Sequence, residues 1–315
     1  MDNPNLIKYS VVVPLFNEEE NAAELHRRIL AASRQLKDPT EIIFIDDGST
    51  DQTAVVCTSL APLVFIQLRK NFGQTAAFDA GFKTARGQII FTLDGDLQND
   101  PADFPLLLAE LERGFDAVSG WRHNRQDTAG KKISSRGANF LRKLLFRDSI
   151  HDSGCALKCY RRECLEDLDL YGEMHRFIPA LLETRGFRVG EVKVHHNPRL
   201  FGHTKYNWRR YLKSLVDMTA IWFWANFSAR PLHFLGGLGF VHAVVGSIIL
   251  AVLAISRIFF LVQLSDRIWP LVGIFLILAG IQLFTIGILS DILIKIYFRG
   301  HNRMNYSIRN ISTKS

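Results

Sequence analysis

The sequence predicts an α/β domain, a mostly parallel sheet with helices on both faces, followed by two C-terminal transmembrane helices. Three observations predict it. Strand-forming runs and helix-forming stretches alternate from Tyr9 to Glu112, the pattern of successive β-α units that pair in parallel. Right-handed crossovers would bring the segments after those strands to one rim. Three such segments, Pro14–Glu18, Asp46–Ser49 and Asp94–Gln98, are rich in carboxylates and turn residues. Finally, residues 231–256 and 268–290 contain no Asp, Glu, Lys or Arg. Each is long enough to cross a hydrocarbon layer of ~30 Å at ~1.5 Å per residue.

Taken in order, Tyr9-Ser-Val-Val-Val13 reads as a buried strand. Asn17 with Glu20 has the spacing of a helix start, and Leu25, Ile29 and Leu36 give the next stretch an apolar stripe. Glu41-Ile-Ile-Phe-Ile45 is a second strand, and Ser49 with Gln52 has capping-box spacing for the helix behind it. Val64–Leu68 is a third strand, followed by a small-residue helix from Gln74 to Ala85 that Gly87 stops. Gln88-Ile-Ile-Phe91 is the fourth strand. Asp100 and Pro101 supply an N-cap and a first-turn proline for a helix ending near Gly114. Asp116-Ala-Val-Ser119 then leads to Gly120-Trp-Arg122, and a basic stretch at 130–136 opens a helix whose apolar face holds Phe140, Leu141, Leu144 and Leu145. Cys155–Tyr160 is strand-like, Met174–Thr184 helical and Arg188–His195 extended, and Asn197–Lys205 is turn-rich and basic.

From Tyr206 to Phe227 the pattern changes. Trp208, Leu212, Leu215, Ile221 and Trp222 recur at near-helical spacing, with Lys205, Arg209 and Lys213 every four residues. A basic, Trp-rich amphipathic helix fits the membrane interface; an ordinary packed helix with aromatics in a core is the plainer alternative. The expected layout is an α/β domain over 1–204, an amphipathic juxtamembrane region over 205–230, two transmembrane helices over 231–298 and a basic tail over 299–315.

The formal charge of +7 on 315 residues could suggest nucleic acid, but much of the excess sits beside the apolar spans. Lys295, Arg299, Arg303, Arg309 and Lys314 follow the second span against Asp291, whereas the link between the spans offers Asp266 and Arg267. The positive-inside rule then puts both termini, and with them the N-terminal domain, on the cytoplasmic side of the membrane. The partner of this charge is the lipid bilayer, and no nucleic acid is expected. Gly236, Gly237 and Gly239 lie within an apolar span and suit helix packing and a homo-oligomer, not dinucleotide binding. Cys57, Cys155, Cys159 and Cys164 lack Cys-x-x-Cys spacing, so reduced thiols are expected and not a zinc site. No cleaved signal is expected either, because no Arg-rich leader or short apolar segment opens the chain.

Asp94 and Asp96, one glycine apart at the end of the fourth strand, are the candidate metal pair. Ligands bind beyond the carboxyl ends of parallel strands, and two carboxylates there can hold a hard divalent cation while leaving room for substrate oxygens. Gln98 could add a carbonyl or a water-mediated contact. The alternative is a solvated acidic turn. A rim with Asp46, Asp47, Asp94 and Asp96 needs positive charge, which Arg122, Arg136, Arg199 and Lys205 supply from later in the chain. The Arg fork suits phosphate, although each taken singly reads more readily as a solvated surface charge, since exposed charges are the norm.

Several of these stretches together resemble glycosyltransferase family 2. They are Val11-Val-Val-Pro-Leu-Phe-Asn-Glu18, Asp46-Asp-Gly-Ser-Thr-Asp51, Arg69-Lys-Asn-Phe-Gly-Gln74, Asp94-Gly-Asp-Leu-Gln98, Asp152-Ser-Gly154 and Arg199-Leu-Phe-Gly-His-Thr-Lys205. Their order, with the two spans behind them, is similar to the polyisoprenyl-phosphate branch, which includes bactoprenol glucosyltransferases and dolichyl-phosphate mannose synthases. The resemblance implies a GT-A fold, inversion at the sugar carbon, and a nucleotide-sugar donor such as UDP-glucose. It implies a polyisoprenyl phosphate such as undecaprenyl phosphate as acceptor. It places Pro14, Glu18, Asp46, Asp47, Asn71 and Gln74 around the nucleotide, with Asp47 a partner for a base N–H. It gives Asp94, Asp96 and Gln98 to Mg²⁺ or Mn²⁺, and Arg122, Arg136, Arg199 and Lys205 to phosphates. Asp152 falls at the family's aspartate, as a base or as a residue that orients substrate. Gly-His-Thr-Lys stands where relatives often carry Gly-Ser-Ser-Lys, which favours Lys205 over His203. The rivals are a processive polysaccharide synthase, whose Gln-x-x-Arg-Trp motif is missing, and a non-catalytic membrane scaffold, against which the intact Asp94 and Asp96 speak.

Overall fold

The apolar runs Tyr9–Leu15 (β1), Thr40–Asp46 (β2), Leu63–Leu68 (β3) and Ile89–Thr92 (β4) are buried almost throughout, as strands covered on both faces must be. The structure, a computed structural model, describes residues 7–122, 150–166, 168, 170, 172–198, 219, 222–223, 231–260, 268–299 and 306–314. β1 pairs in parallel with β2 and β4, and β2 with β3. Helices Ala22–Ser33 (α1), Thr53–Ser59 (α2) and Phe104–Glu112 (α4) cover one face, where Leu25, Ile29, Cys57 and Leu107 join Val11, Val13, Phe44 and Phe91 in one core. Helix Gln74–Thr84 (α3) covers the other, so closely that a Cβ on Gly81 would lie 2.4 Å from Val12 Cγ1.

The sheet continues with Ala117–Trp121 (β5), Lys158–Arg161 (β6), Val189–Lys193 (β7) and Ile308–Lys314 (β8), in the order β7-β5-β6-β4-β1-β2-β3-β8. β6 runs antiparallel between β4 and β5, and β5 pairs with β7 in parallel. β8, within the stretch expected to be a basic tail, pairs antiparallel with β3 at the edge. Two short helices, Glu163–Glu166 (α5) and Ile178–Thr184 (α6), complete this part, the latter preceded by a 3₁₀ turn over Met174–Arg176.

Two expected helix starts are corrected. α1 begins at Ala22, and α2 follows Gln52 with no side-chain cap. The polar residues assigned to those starts join the two rim loops instead: the Asn17 N–H donates to Ser49 Oγ at 2.9 Å, and Asn17 Oδ1 accepts from the Thr50 N–H at 2.8 Å. The contact holds Asn17 at a φ of 57°, in the left-handed region that asparagine tolerates better than most residues. Asp100 does act as a cap, its Oδ1 accepting from the Ala102 N–H at 3.0 Å, with Pro101 opening the turn into α4.

By its contacts the chain divides into residues 1–222 with 304–315, and residues 223–303. The second unit contains two long apolar helices, Pro231–Phe260 (α7, 30 residues) and Trp269–Arg299 (α8, 31 residues). Leu232–Phe259 and Trp269–Leu293 have mean hydropathies of 2.5 and 2.4. Phe240, Phe259, Leu271, Phe275 and Leu293 are exposed, as they would not be on a core helix of a soluble protein; lipid is the solvent that suits them. The two helices meet through glycines. A Cβ on Gly239 would lie 2.5 Å from the Gly280 carbonyl oxygen, and one on Gly246 2.6 Å from that of Gly273. Gly236 also packs on α8, while Gly237 has open space. These glycines serve packing within one chain, so they no longer argue for a homo-oligomer. The four cysteines are free and buried.

Candidate active site

β1 and β4 are adjacent and parallel, with β2 and β3 beyond β1 and β6, β5 and β7 beyond β4. The chain reverses direction across the sheet there, and the crevice above such a switch point is where ligands bind. The Pro14–Glu18 and Asp94–Gln98 loops flank it. Their approach is so close that only glycine fits between the two aspartates: a Cβ on Gly95 would stand 2.6 Å from Leu15 Cδ2 and 3.3 Å from the Pro14 carbonyl oxygen. At Glu18 the N–H donates to Thr53 Oγ1 at 2.8 Å, and Oε2 accepts from Asn21 Nδ2 at 2.6 Å.

The third rim segment joins through Asp47. This buried carboxylate accepts from the Phe72 N–H at 2.7 Å and the Gly73 N–H at 2.9 Å, one on each oxygen. Both oxygens therefore fix the 69–74 loop. Burial pushes the Asp47 carboxyl up from its ordinary value, and those two N–H groups oppose the shift. Asp46 is wholly buried and accepts from the Ser49 N–H at 2.9 Å and Gln67 Nε2 at 3.3 Å. Gly48, at a φ of +70°, lies under the Lys70–Asn71 peptide, where a Cβ would come within 2.4 Å of the Lys70 carbonyl carbon. Asn71 is exposed.

The fixed loop delivers Gln74 to the acidic pair: its Nε2 donates to Asp94 Oδ1 at 2.6 Å. Asp96 is buried, its Oδ1 accepting from the Gln98 N–H at 3.2 Å across Leu97, which has a φ of 60°. The Gln98 carbonyl accepts from the Asn197 N–H at 2.9 Å, so the chain leading to Arg199 starts beside this loop. Burial first, and the neighbouring charge of Asp96 second, push Asp94 up to about 6; Lys158, Gln74 and Arg122 pull the other way. Two carboxylates that resist sharing negative charge are a donor set a divalent cation relieves. Among the described residues no group of three or more His, Cys, Asp or Glu is placed to hold a metal ion by itself. A cation here would therefore complete its shell with substrate oxygens, which suits Mg²⁺ or Mn²⁺.

Across the pair lie the cations. Arg122, at the end of β5, forms a two-pronged ion pair with Asp152, Nε to Oδ2 at 2.7 Å and Nη2 to Oδ1 at 2.9 Å. Glu191 of β7 braces this arrangement by accepting from the N–H groups of His151 and Asp152, and the His151 ring stacks on Trp121 with centroids 4.6 Å apart. Asp152 thus faces Arg122 with both oxygens, a poor posture for a base and a good one for holding a guanidinium. Lys158 is the residue that sequence reasoning missed. It lies on β6 opposite Thr92 and Ser119, is 4% exposed, and carries a charge felt by Asp94 and Asp152. Burial pulls its ammonium down to about 8. The one available signal was a lysine inside Cys155-Ala-Leu-Lys-Cys-Tyr160, an otherwise apolar strand.

Thus contacts join the loops that carry Pro14, Glu18, Asp46, Asp47, Gln74, Asp94, Asp96 and Gln98 at one end of the sheet, and the paired Arg122 and Asp152 stand close enough for Arg122 to act on Asp94. Arg136, Arg199 and Lys205 lie outside the described residues, as does nearly all of the amphipathic segment at 205–230.

Comparison with known proteins gives this site a family. The model of "Glycosyl transferase family 2" matches residues 10–169. The chain belongs to glycosyl transferase family 2. It is 39% identical over 314 residues to dodecaprenyl-phosphate galacturonate synthase of Rhizobium johnstonii, covering 97% of this chain and 93% of the relative. It is 34% identical over 313 residues to undecaprenyl-phosphate 4-deoxy-4-formamido-L-arabinose transferase of an Enterobacter species, covering 98% and 94%. Among solved structures it resembles mannosyl-3-phosphoglycerate synthase from Rubrobacter xylanophilus, with a TM-score of 0.55, 16% identity and coverage of 69% and 74%. It also resembles glucosyl-3-phosphoglycerate synthase from Mycobacterium tuberculosis in complex with Mn²⁺ and UDP-glucose, with a TM-score of 0.53, 17% identity and coverage of 70% and 79%. At those identities the structures establish the GT-A fold alone. As a family 2 member the chain is a glycosyltransferase, with two further helices apolar and long enough to span a membrane.

Proposed function

We propose that this family 2 enzyme transfers a sugar from a nucleotide sugar to the phosphate of a polyisoprenyl phosphate, with inversion at the sugar carbon. One observation carries the reading: an acidic pair at the switch point, tied by Gln74 to the nucleotide-side loop and faced by Arg122 and Lys158, on a chain with two lipid-suited helices. The names of the relatives supply the acceptor class. They also move the sugar away from the expected glucose, since they carry galacturonate and 4-deoxy-4-formamido-L-arabinose. We take one of these two as the sugar and a uridine nucleotide as its carrier.

The chemistry follows from charge. A phosphate monoester has a second pKa near ~6, so the acceptor is largely a dianion at neutral pH. It needs no base to attack. Its oxygen bonds to the anomeric carbon from the face opposite the diphosphate. The carbon–oxygen bond to the donor breaks, and that electron pair leaves on the nucleoside diphosphate. The protein has to hold two anions in line and stabilise the one that departs. Asp47 would keep the 69–74 loop closed over the nucleotide, Gln74 would orient Asp94, and Arg122, held flat by Asp152, would face the incoming or departing phosphate. Arg136, Arg199 and Lys205 are assigned to phosphate in the same scheme. A divalent cation on Asp94, Asp96 and Gln98, when bound, would neutralise charge developing on the diphosphate.

The reading is tested by incubating the purified full chain with Mg²⁺, a short polyprenyl phosphate and, separately, labelled UDP-galacturonate, UDP-4-deoxy-4-formamido-L-arabinose and UDP-glucose. Label entering the organic phase with either of the first two is the expected result. Label in an aqueous polymer would favour a polysaccharide synthase, and binding without product would favour a scaffold.

A further inference from the structure

Lys158 stands out as a charge with no stated use. Its side chain is almost wholly buried, yet its ammonium is not among the buried side-chain nitrogens left without a partner: with no hydrogen bond or ion pair to the described residues, its tip is open to whatever enters beside it. A cation on so largely desolvated a side chain gains most from an anionic partner. The nearest carboxylates already have partners of their own: Asp152 holds Arg122 through both oxygens, and Asp94 accepts from Gln74. Lys158 sits on the one antiparallel strand that separates the acidic loop after β4 from the end of β5. It therefore stands behind the crevice, between the groups assigned to the diphosphate and the Arg122–Asp152 pair.

We propose that Lys158 is a substrate-binding residue whose ammonium donates to a phosphate oxygen inside the crevice. The inference rests on the transferase reading above and adds to it a cation that reaches the phosphate from the sheet itself, not from a rim loop. A strand position is rigid, so the charge is preorganised where charge develops during transfer. The phosphate belongs either to the donor's diphosphate or to the acceptor.

The test uses the full chain in detergent, with Lys158→Met to keep the shape and remove the charge, Lys158→Gln as a polar second variant, and Lys158→Arg to restore charge. Thermal unfolding, transfer kinetics, and equilibrium binding of UDP with Mn²⁺ and of farnesyl phosphate are measured on each. Transfer by Lys158→Met should fall by about 100-fold or more, as expected for removing one preorganised donor. Its melting temperature should hold or rise, because a largely desolvated charge has gone. Lys158→Arg should recover part of the activity. If the donor phosphate is the ligand, UDP affinity falls; if the acceptor phosphate is, UDP affinity holds and farnesyl phosphate binding weakens. Unchanged transfer and binding in Lys158→Met would overturn the proposal, as would parallel loss of stability and activity in both neutral variants. Should the wild-type chain transfer no sugar, the transferase reading fails, while the two binding measurements still decide on Lys158.

Discussion

Asp94 is the side chain on which the site's electrostatics turn, and its behaviour with pH is a direct consequence. Its carboxyl is raised to about 6, by burial and then by Asp96. Between the ordinary carboxylate range and that value, the folded chain keeps a proton that the unfolded chain has lost. Its contribution to stability is therefore lost as pH rises through this window. Without divalent cations, thermal unfolding should show a decline from about pH 4 to pH 6 that Asp94→Asn flattens. The same variant should lose about 100-fold or more in transfer, in line with the removal of a principal electrostatic contact. Full activity in Asp94→Asn would remove Asp94 from the reaction. Gly48 offers a test of the nucleotide side. Alanine there meets both an unfavourable φ of +70° and the Lys70 carbonyl carbon. Gly48→Ala should displace the 69–74 loop and weaken UDP binding about tenfold or more, the scale of a 1–3 kcal/mol backbone strain; isothermal titration would read it.

At the scale of elements, the surprise is β8. Its sequence, Ile-Arg-Asn-Ile-Ser-Thr-Lys, has the polarity of a tail and the exposure of an edge strand, and its charges blunt the edge it forms. Its ladder runs the length of β3 and ends where the Arg69 N–H donates to the Ser307 carbonyl, at the start of the loop that Asp47 holds. Tyr306, just before it, is buried, and burial together with the charge of Asp79 on α3, the helix that begins with Gln74, pushes its hydroxyl up. Deleting residues 306–315 should uncover the β3 edge, lower the melting temperature by several degrees and promote aggregation, measured by scattering on heating. A deletion variant as stable and soluble as the full chain would show β8 to be dispensable. The α7–α8 pair makes a separate prediction. Gly239→Leu has no room against the Gly280 carbonyl, so it should part the two helices and destabilise that unit in detergent, whereas Gly237→Leu, facing open space, should not.

At the scale of the molecule, connectivity constrains topology. β8 belongs to the same sheet as β1–β4, and the two apolar helices lie between them in the chain. A sheet cannot be shared across a bilayer, so two spans must return the chain to the side from which it left. The basic residues after Ser290 favour the cytoplasm for that side. Cysteines placed at Asp266 and Ser315 should then label oppositely with a membrane-impermeant maleimide applied to intact spheroplasts, Asp266→Cys reacting and Ser315→Cys protected until lysis. Equal reactivity of both would contradict a two-span arrangement.

The sequence by itself determined what is local or periodic. The four parallel strands, α3, the Asp100-Pro101 start, the two apolar spans and the rim aspartates are each written in contiguous residues, and the strand-end rule assembles most of the crevice from them. Only the tertiary structure decided the non-local pairings: β6 inserted antiparallel beside β4, β8 returned to the sheet edge, and Asn17 and Ser49 used on each other instead of on helix ends. It also decided what Asp47, Asp152 and Lys158 face, because a lysine in a four-residue strand, or a carboxylate in a turn, has the same sequence signature whether it meets solvent, backbone or an ion. The reason is physical: periodicity reports which face of an element is buried, while the partner of a buried charge depends on residues tens of positions away that folding brings within hydrogen-bonding reach.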